Sequence, residues 1–357
     1  MPLSWVLKPL AVASAVAFST LGLLSTRYQK ARFYWNSVLF LATLGWASVC
    51  GLCITFYSAA AGNRLNINYY VARSFYQVAH RLVGIDFDVE GEEHLTNLLT
   101  ARDGKPQSAV VLGNHQSMID ILYLGRIFPK QTAITAKQEL KWSPLLGQYM
   151  ALSGAVFINR KNRKDAVAAM QQVGVDMKKK GVSLWIFPEG TRYSHEEPTL
   201  LPFKKGAFHL AIQAQAPIVL VVCENYNRLF DGQTRFDGGR LKIKILPPIS
   251  TVGLTSDDVH SLVDSTRDLM LKTLKEISLP APARAPSVST AITNDAKVTP
   301  IPEKTEESVA PEGVRQRVVT VPTPTASTDS LPSREETTTE DEMDDDAVLL
   351  KRPKTEA

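Results

Sequence analysis

The chain has 357 residues and a formal net charge of +4, but the charge is unevenly spread. Residues 281–357 hold nine Lys/Arg against fifteen Asp/Glu, a net −6 that leaves +10 on the first 280 residues. That tail has no Phe, Trp or Tyr, and the chain has only three cysteines, which excludes a uniformly soluble globule, a disulfide-rich scaffold and a fully disordered chain.

The N-terminus is apolar. No charged residue occurs between Lys8 and Arg27, or between Arg32 and Arg64. A helix of ~20 apolar residues spans a bilayer core. Residues 9–25 just reach that length and 33–61 exceed it, so 1–63 reads as two hydrophobic membrane segments. The basic start of the first run also fits a signal peptide, but without a convincing cleavage signature it reads as an anchor. Only residues 26–32 separate the runs, which predicts a hairpin with Arg27, Lys30 and Arg32 at its tip. Whether both runs cross or one lies in the interface is left open. Two buried helices of a soluble core are the bland alternative. Cys50 and Cys53 have redox-motif spacing, but inside an apolar run a thiol acts as a small hydrophobe.

Residues 66–82 have a helical, amphipathic pattern with Tyr69, Tyr70, Phe75 and Tyr76 as aromatic members. Aromatic residues suit a headgroup layer and a domain core equally. Ile85, Phe87 and Val89 alternate with acids, the period of a strand. Runs at 109–113, 133–136, 155–158, 182–187, 218–222 and 240–246 read as further strands. Stretches at 119–128, 165–180, 206–215 and 256–277 read as helices, the last with Asp257 and Asp258 in its first turn, where carboxylates suit the helix dipole. Alternation of this kind predicts an α/β domain over 64–280, with a mixed, largely parallel sheet flanked by helices. Residues 281–357 are Pro/Ser/Thr-rich and acidic, a composition that cannot bury enough apolar surface to fold. Deleting residues 285–357 should therefore leave specific activity within about a few-fold; a truncated protein that loses turnover would place the domain boundary elsewhere.

P-loop, dinucleotide, nucleophile-elbow and zinc-protease motifs are absent. One histidine of six stands out. Gly113-Asn114-His115-Gln116-Ser117-Met118-Ile119-Asp120 follows the apolar run 109–112, and ligands of α/β sheets bind beyond strand C-termini. On one continuous helix His115 and Asp120 would lie about 140° apart and not meet. With His115 in the turn and the helix starting near Ser117, Asp120 can reach the imidazole and leave its other nitrogen as a base. The competing reading is a capping box, Ser117-x-x-Asp120. Two more loops follow strands: Gly154-Ala155-Val156-Phe157-Ile158-Asn159-Arg160 and Phe187-Pro188-Glu189-Gly190-Thr191-Arg192. Arg192 and Arg160 offer guanidinium forks for phosphate, although each loop alone is more often a turn with a solvated Arg.

The three blocks in this order resemble the glycerolipid acyltransferase family, and Ala216-Pro217-Ile218-Val219-Leu220-Val221 matches its looser fourth block. The resemblance covers about 85–249. It implies transfer of a fatty acyl group from acyl-CoA to the sn-2 hydroxyl of lysophosphatidic acid, giving phosphatidic acid. It further implies His115 as general base steadied by Asp120. Lys137 and Arg192 would hold the acceptor phosphate, Glu189, Gly190 and Thr191 would shape that pocket, and Arg160 would lie beside it. A thioester is already activated, so no metal or cofactor is implied, and acyl-CoA is a co-substrate. The oxyanion donors are not identified. Rival readings are another acceptor (glycerol 3-phosphate or a lysophospholipid) and an inactive membrane-bound lipid-binding protein. The +10 charge alone would fit nucleic acid, but the hydrophobic start favours an anionic lipid bilayer. The tail suggests the endoplasmic reticulum membrane.

Overall fold

Short continuous apolar runs become strands when both faces of a parallel sheet are covered, and this chain follows that rule. The computed structural model describes residues 4–99, 108–159 and 162–279; the acidic tail lies outside them. In chain order the elements are α1 (Ser4–Ser25), α2 (Gln29–Ala60), α3 (Ile67–Val83), β1 (Ile85–Glu90), α4 (Glu93–Leu99), β2 (Val110–Gly113), α5 (Asp120–Ile127), β3 (Thr132–Lys137), α6 (Leu146–Leu152), β4 (Val156–Ile158), α7 (Arg163–Lys180), β5 (Ser183–Ile186), α8 (Gly206–Ala214), β6 (Ile218–Cys223), β7 (Gly239–Ile245) and α9 (Val259–Ile277).

The seven strands form one sheet in the order β1-β7-β6-β2-β5-β3-β4. All neighbours are parallel except β6 and β7. This is the expected mixed, largely parallel α/β sheet. The period of two divides each central strand between two cores. Val111, Trp185, Val219 and Val221 face one core, built with α2, α3 and α5. Val110, Leu112, Leu184, Ile218 and Leu220 face the other, built with α7, α8 and α9. Since β2, β5 and β3 are mutually parallel, their C-terminal loops share one edge of the sheet, and the parallel β2–β6 pair adds the end of β6.

Helix boundaries follow local chemistry. Gly84 ends α3 in the left-handed region (φ 71°), and its N–H bonds the His80 carbonyl, a conformation that costs little only for glycine. Gly125 lets α5 cross α3 closely: a Cβ there would sit 2.7 Å from Tyr76 Cβ and 2.8 Å from the Ala72 carbonyl oxygen. Two of the aromatics of α3 pack on the domain core. Phe75 and Tyr76 are buried, whereas Tyr70 is exposed.

Three differences from the expected elements have local causes. Asp257 and Asp258 lie in a 3-10 turn before α9, where Thr255 and Asp258 form a reciprocal capping box. Asp258 therefore satisfies a backbone N–H directly, beyond any dipole effect. α4 and α6 were not anticipated. Seven residues are too few to display a helical period, and α6 follows Pro144 and Leu145, which adopts φ 62°.

α2 is inverted relative to a soluble amphipathic helix. Its buried residues are Asn36, Phe40, Thr43, Ala47, Ser48, Gly51, Thr55 and Ser58, mostly small or polar. The Thr43, Ser48 and Thr55 hydroxyls donate to carbonyls four residues back. Asn36 donates to the Phe236 carbonyl at 2.8 Å, and Arg32 pairs with Asp237 at 2.7 Å. The exposed residues include Val38, Leu41, Trp46, Val49, Phe56 and Tyr57. α1 and α2 are both long and apolar enough to cross a membrane by length and composition.

Candidate active site

β2 ends at Gly113, which leaves no room for a side chain: a Cβ would approach Trp185 to 2.8 Å and the Tyr123 hydroxyl to 2.9 Å. The chain then turns through 114–119 before α5 starts at Asp120. This brings His115 and Asp120 together, with Nδ1 and Oδ2 2.7 Å apart. His115 is 15% exposed in its side chain and Asp120 only 2%. The imidazole stacks on Phe187 at 4.0 Å between ring centroids, which fixes its plane.

Asp120 does more than either reading of the sequence required. Its Oδ2 also accepts the Gln116 N–H at 2.8 Å and the Ser117 N–H at 3.1 Å. Its Oδ1 accepts the Tyr226 hydroxyl at 2.6 Å. The carboxylate thus organises the turn and orients the imidazole at once, so capping and ring orientation are not alternatives.

The turn is tied to the end of β6 by side-chain amides. The Asn114 amide donates to the Cys223 carbonyl at 2.8 Å and accepts the Cys223 N–H at 2.9 Å. Gln116 donates to the Glu224 carbonyl at 2.9 Å. The Tyr123 hydroxyl from α5 donates to the Asn114 carbonyl. Asn114, Gln116, Tyr123, Phe187 and Tyr226 were not singled out from the sequence. Buried amides beside the histidine are a faint signal, but nothing local names their partners.

Glu189 is buried, and its two oxygens accept the N–H groups of His115 (2.8 Å) and Leu201 (3.1 Å). It holds the backbone that carries His115. Glu189 and Gly190 are not among the residues lining the cavity beside His115, whereas Lys137, Thr191 and Arg192 are. Gly190 has φ 69°. Arg160 lies outside the described residues. Burial raises the Glu189 carboxyl to about 7, against its two N–H donors, which lower it. A folded pKa above the unfolded one means that the fold binds the proton more tightly. Stability from this group is therefore full below about 4.5 and falls as pH rises through about 7. Melting curves across that window should show the decline, and Glu189→Gln should remove it. An unchanged slope in the variant would assign the effect to another group.

The cavity has a volume of about 470 Å³. His115, Lys137, Thr191 and Arg192 line it together with apolar side chains of α2, α3, α5, β3 and α6, among them Leu44, Val71, Phe75, Leu124 and Met150. Among the described residues, Lys137 and Arg192 are exposed, and their side chains make no hydrogen bond or ion pair. Among the described residues, no group of three or more His, Cys, Asp or Glu gathers to hold a metal.

At the C-terminal edge of the α/β sheet, a His–Asp pair, two cations and apolar side chains thus line one cavity. Residues 86–224 match the acyltransferase family. The chain is 41% identical over 246 residues to "1-acyl-sn-glycerol-3-phosphate acyltransferase" of Saccharomyces cerevisiae, covering 69% of this chain and 78% of the relative. It is 38% identical to the mouse "1-acyl-sn-glycerol-3-phosphate acyltransferase alpha", covering 70% and 81%. The crystal structure of the 1-acyl-sn-glycerophosphate (LPA) acyltransferase PlsC from Thermotoga maritima is similar in fold, with a TM-score of 0.55 and 25% identity, covering 69% of this chain and 98% of that one. The chain belongs to the 1-acyl-sn-glycerol-3-phosphate acyltransferase family of enzymes.

Proposed function

We propose that the chain transfers a fatty acyl group from acyl-CoA to the sn-2 hydroxyl of lysophosphatidic acid, giving phosphatidic acid, with His115 as general base. The observation that carries this reading is that one cavity is lined by His115, by two cations without internal partners, and by apolar side chains. Asp120 occupies Nδ1, so Nε2 is left to take the hydroxyl proton. An alcohol is a poor nucleophile near neutral pH, and a positioned base supplies ~10²–10⁴-fold. The alkoxide oxygen attacks the thioester carbonyl carbon, the C–S bond breaks, and the leaving thiolate takes the proton from the imidazolium. The acceptor phosphate carries roughly −1.5 to −2 charges. Arg192 and Lys137 would hold it, and the apolar lining would hold an acyl chain.

The outward apolar face of α2 supports a place for the hairpin in the membrane interface. α2 lays its small and polar face along the domain and turns its large apolar residues outward. That suits a helix lying in the bilayer surface, where lipid covers the outer face. An endoplasmic reticulum membrane remains the proposed address.

Purified protein given labelled acyl-CoA and a panel of acceptors tests the function. Transfer to lysophosphatidic acid should far exceed transfer to glycerol 3-phosphate or to lysophospholipids with a head group. Preference for one of those acceptors would reassign the substrate, and no transfer to any of them would overturn the reading.

A further inference from the structure

Tyr226 lies just beyond β6, buried to 1% exposure, and no feature of the sequence gave it a role. Its hydroxyl is 2.6 Å from Asp120 Oδ1 and 2.9 Å from Ser117 Oγ. Asp120 as a carboxylate can only accept, so the Tyr226 proton goes to Oδ1. Ser117 then donates to the Tyr226 oxygen and in turn accepts the Ile119 N–H at 3.1 Å. The donors run one way: Ile119 N–H to Ser117, Ser117 to Tyr226, Tyr226 to Asp120. Meanwhile Oδ2 serves the imidazole and two backbone N–H groups.

We infer that Tyr226 is a positioning residue of the reaction: its hydroxyl pins Oδ1, so that Oδ2 stays aimed at His115 Nδ1. The inference rests on His115 being the base. Tyr226 is itself held from several sides. Its N–H faces Gln116 Oε1 at 3.4 Å, and its carbonyl accepts the N–H groups of Leu229 and Phe230. A donor on a buried carboxylate favours the charged form. It therefore stabilises the unprotonated His–Asp pair, which carries one negative charge, over the singly protonated pair, which is neutral. Removing it makes the pair easier to protonate, wherever in the pair that proton resides.

Among the described residues, the titratable groups around Asp120 are His115 in its own turn, Tyr123 on α5, Cys223 and Tyr226 at and just beyond the end of β6, and Glu189 after β5, with Lys137 and Arg192 lining the same cavity. Burial pushes Tyr123, Tyr226 and Cys223 well above their ordinary ranges, so they stay uncharged. Glu189 titrates near 7. A rate profile alone would mix its proton with that of the pair, so the imidazole has to be observed directly.

The test is Tyr226→Phe in the full-length protein. Three quantities are measured: the kcat profile against pH, both KM values, and the His115 titration by NMR of histidine-labelled protein, assigned with His115→Ala. The acid limb and the His115 midpoint should both move to higher pH by about one unit, since one of four donors to the carboxylate is lost. Above that limb kcat should fall about tenfold, a part of what a general base contributes. Both KM values should stay within about twofold, because substrate contacts are untouched. Ser117→Ala removes only the outer donor. It should shift the same midpoint in the same direction by less, and it serves if the Phe variant does not fold. An unmoved His115 midpoint in a folded variant, with only the melting temperature lowered, would reduce Tyr226 to a packing residue. If instead His115→Ala keeps turnover, the base assignment itself has failed, and the two failures are thereby distinguished.

Discussion

Acyl transfer by the His115→Ala protein should fall to background, while its melting temperature changes little and its membrane binding is kept. The imidazole makes one side-chain hydrogen bond, to Asp120, and one ring contact, to Phe187. The backbone of residue 115 is held separately: its N–H by Glu189, its carbonyl by Tyr193 N–H. The turn survives the loss of the ring, and only the base goes, at a cost of roughly 10²–10⁴-fold or more. Asp120→Asn should behave differently. Asn offers one acceptor oxygen where the carboxylate serves four donors. Leaving a buried donor unpaired costs about 1–3 kcal/mol. That variant should lose both rate and melting temperature. Steady-state rates and melting curves on the two variants check this. Full turnover by His115→Ala would sink the base assignment, and a thermally unchanged Asp120→Asn would mean that the carboxylate does not organise the turn.

Arg192→Ala should raise the KM for the acceptor by about tenfold or more and leave the KM for acyl-CoA nearly unchanged. A hydrogen bond to a charged group is worth roughly 1.5–3 kcal/mol, and each ~1.4 kcal/mol is a factor of ten in affinity. Arg192→Lys should recover only part, because an ammonium lacks the two-pronged geometry that matches phosphate oxygens. An alternative in which Arg192 merely braces its loop by pairing with Glu189 finds no support in the geometry. Both Glu189 oxygens are taken by backbone N–H groups, while Arg192 is exposed at the cavity without an ion pair among the described residues. The remaining alternative is that Arg192 grips a phosphate of coenzyme A. Both KM values measured on one variant decide between them, and a defect confined to acyl-CoA would overturn the assignment.

Much of the architecture is legible along the chain. β2, β5 and β6 announce themselves as continuous apolar runs, because strands covered on both faces have no polar side to display. The order of those strands does not show. β6 lies beside β2 across more than a hundred residues of chain, and such pairing is a property of distant surfaces, which no local period records. α4 and α6 escaped because a helix of two turns has no room for one.

The site divides in the same way. His115 and Asp120 could be paired on sequence because both lie in one turn, where spacing and helix geometry limit what can meet. Arg192 could be nominated because it follows a strand, and Lys137 only because its segment resembles the family's. Their convergence on one cavity depended on the adjacency of β2, β5 and β3. Tyr226 as a partner of Asp120, Glu189 as a clamp on the His115 backbone, and Phe187 as the face beneath the imidazole were decided by tertiary structure alone. The same holds for α2. Its length and lack of charge are written in the sequence, but which side meets protein is not. That choice was made by Asn36 and Arg32 finding partners at 236–237, contacts two hundred or more residues away, which form only once the sheet has brought that loop to the helix.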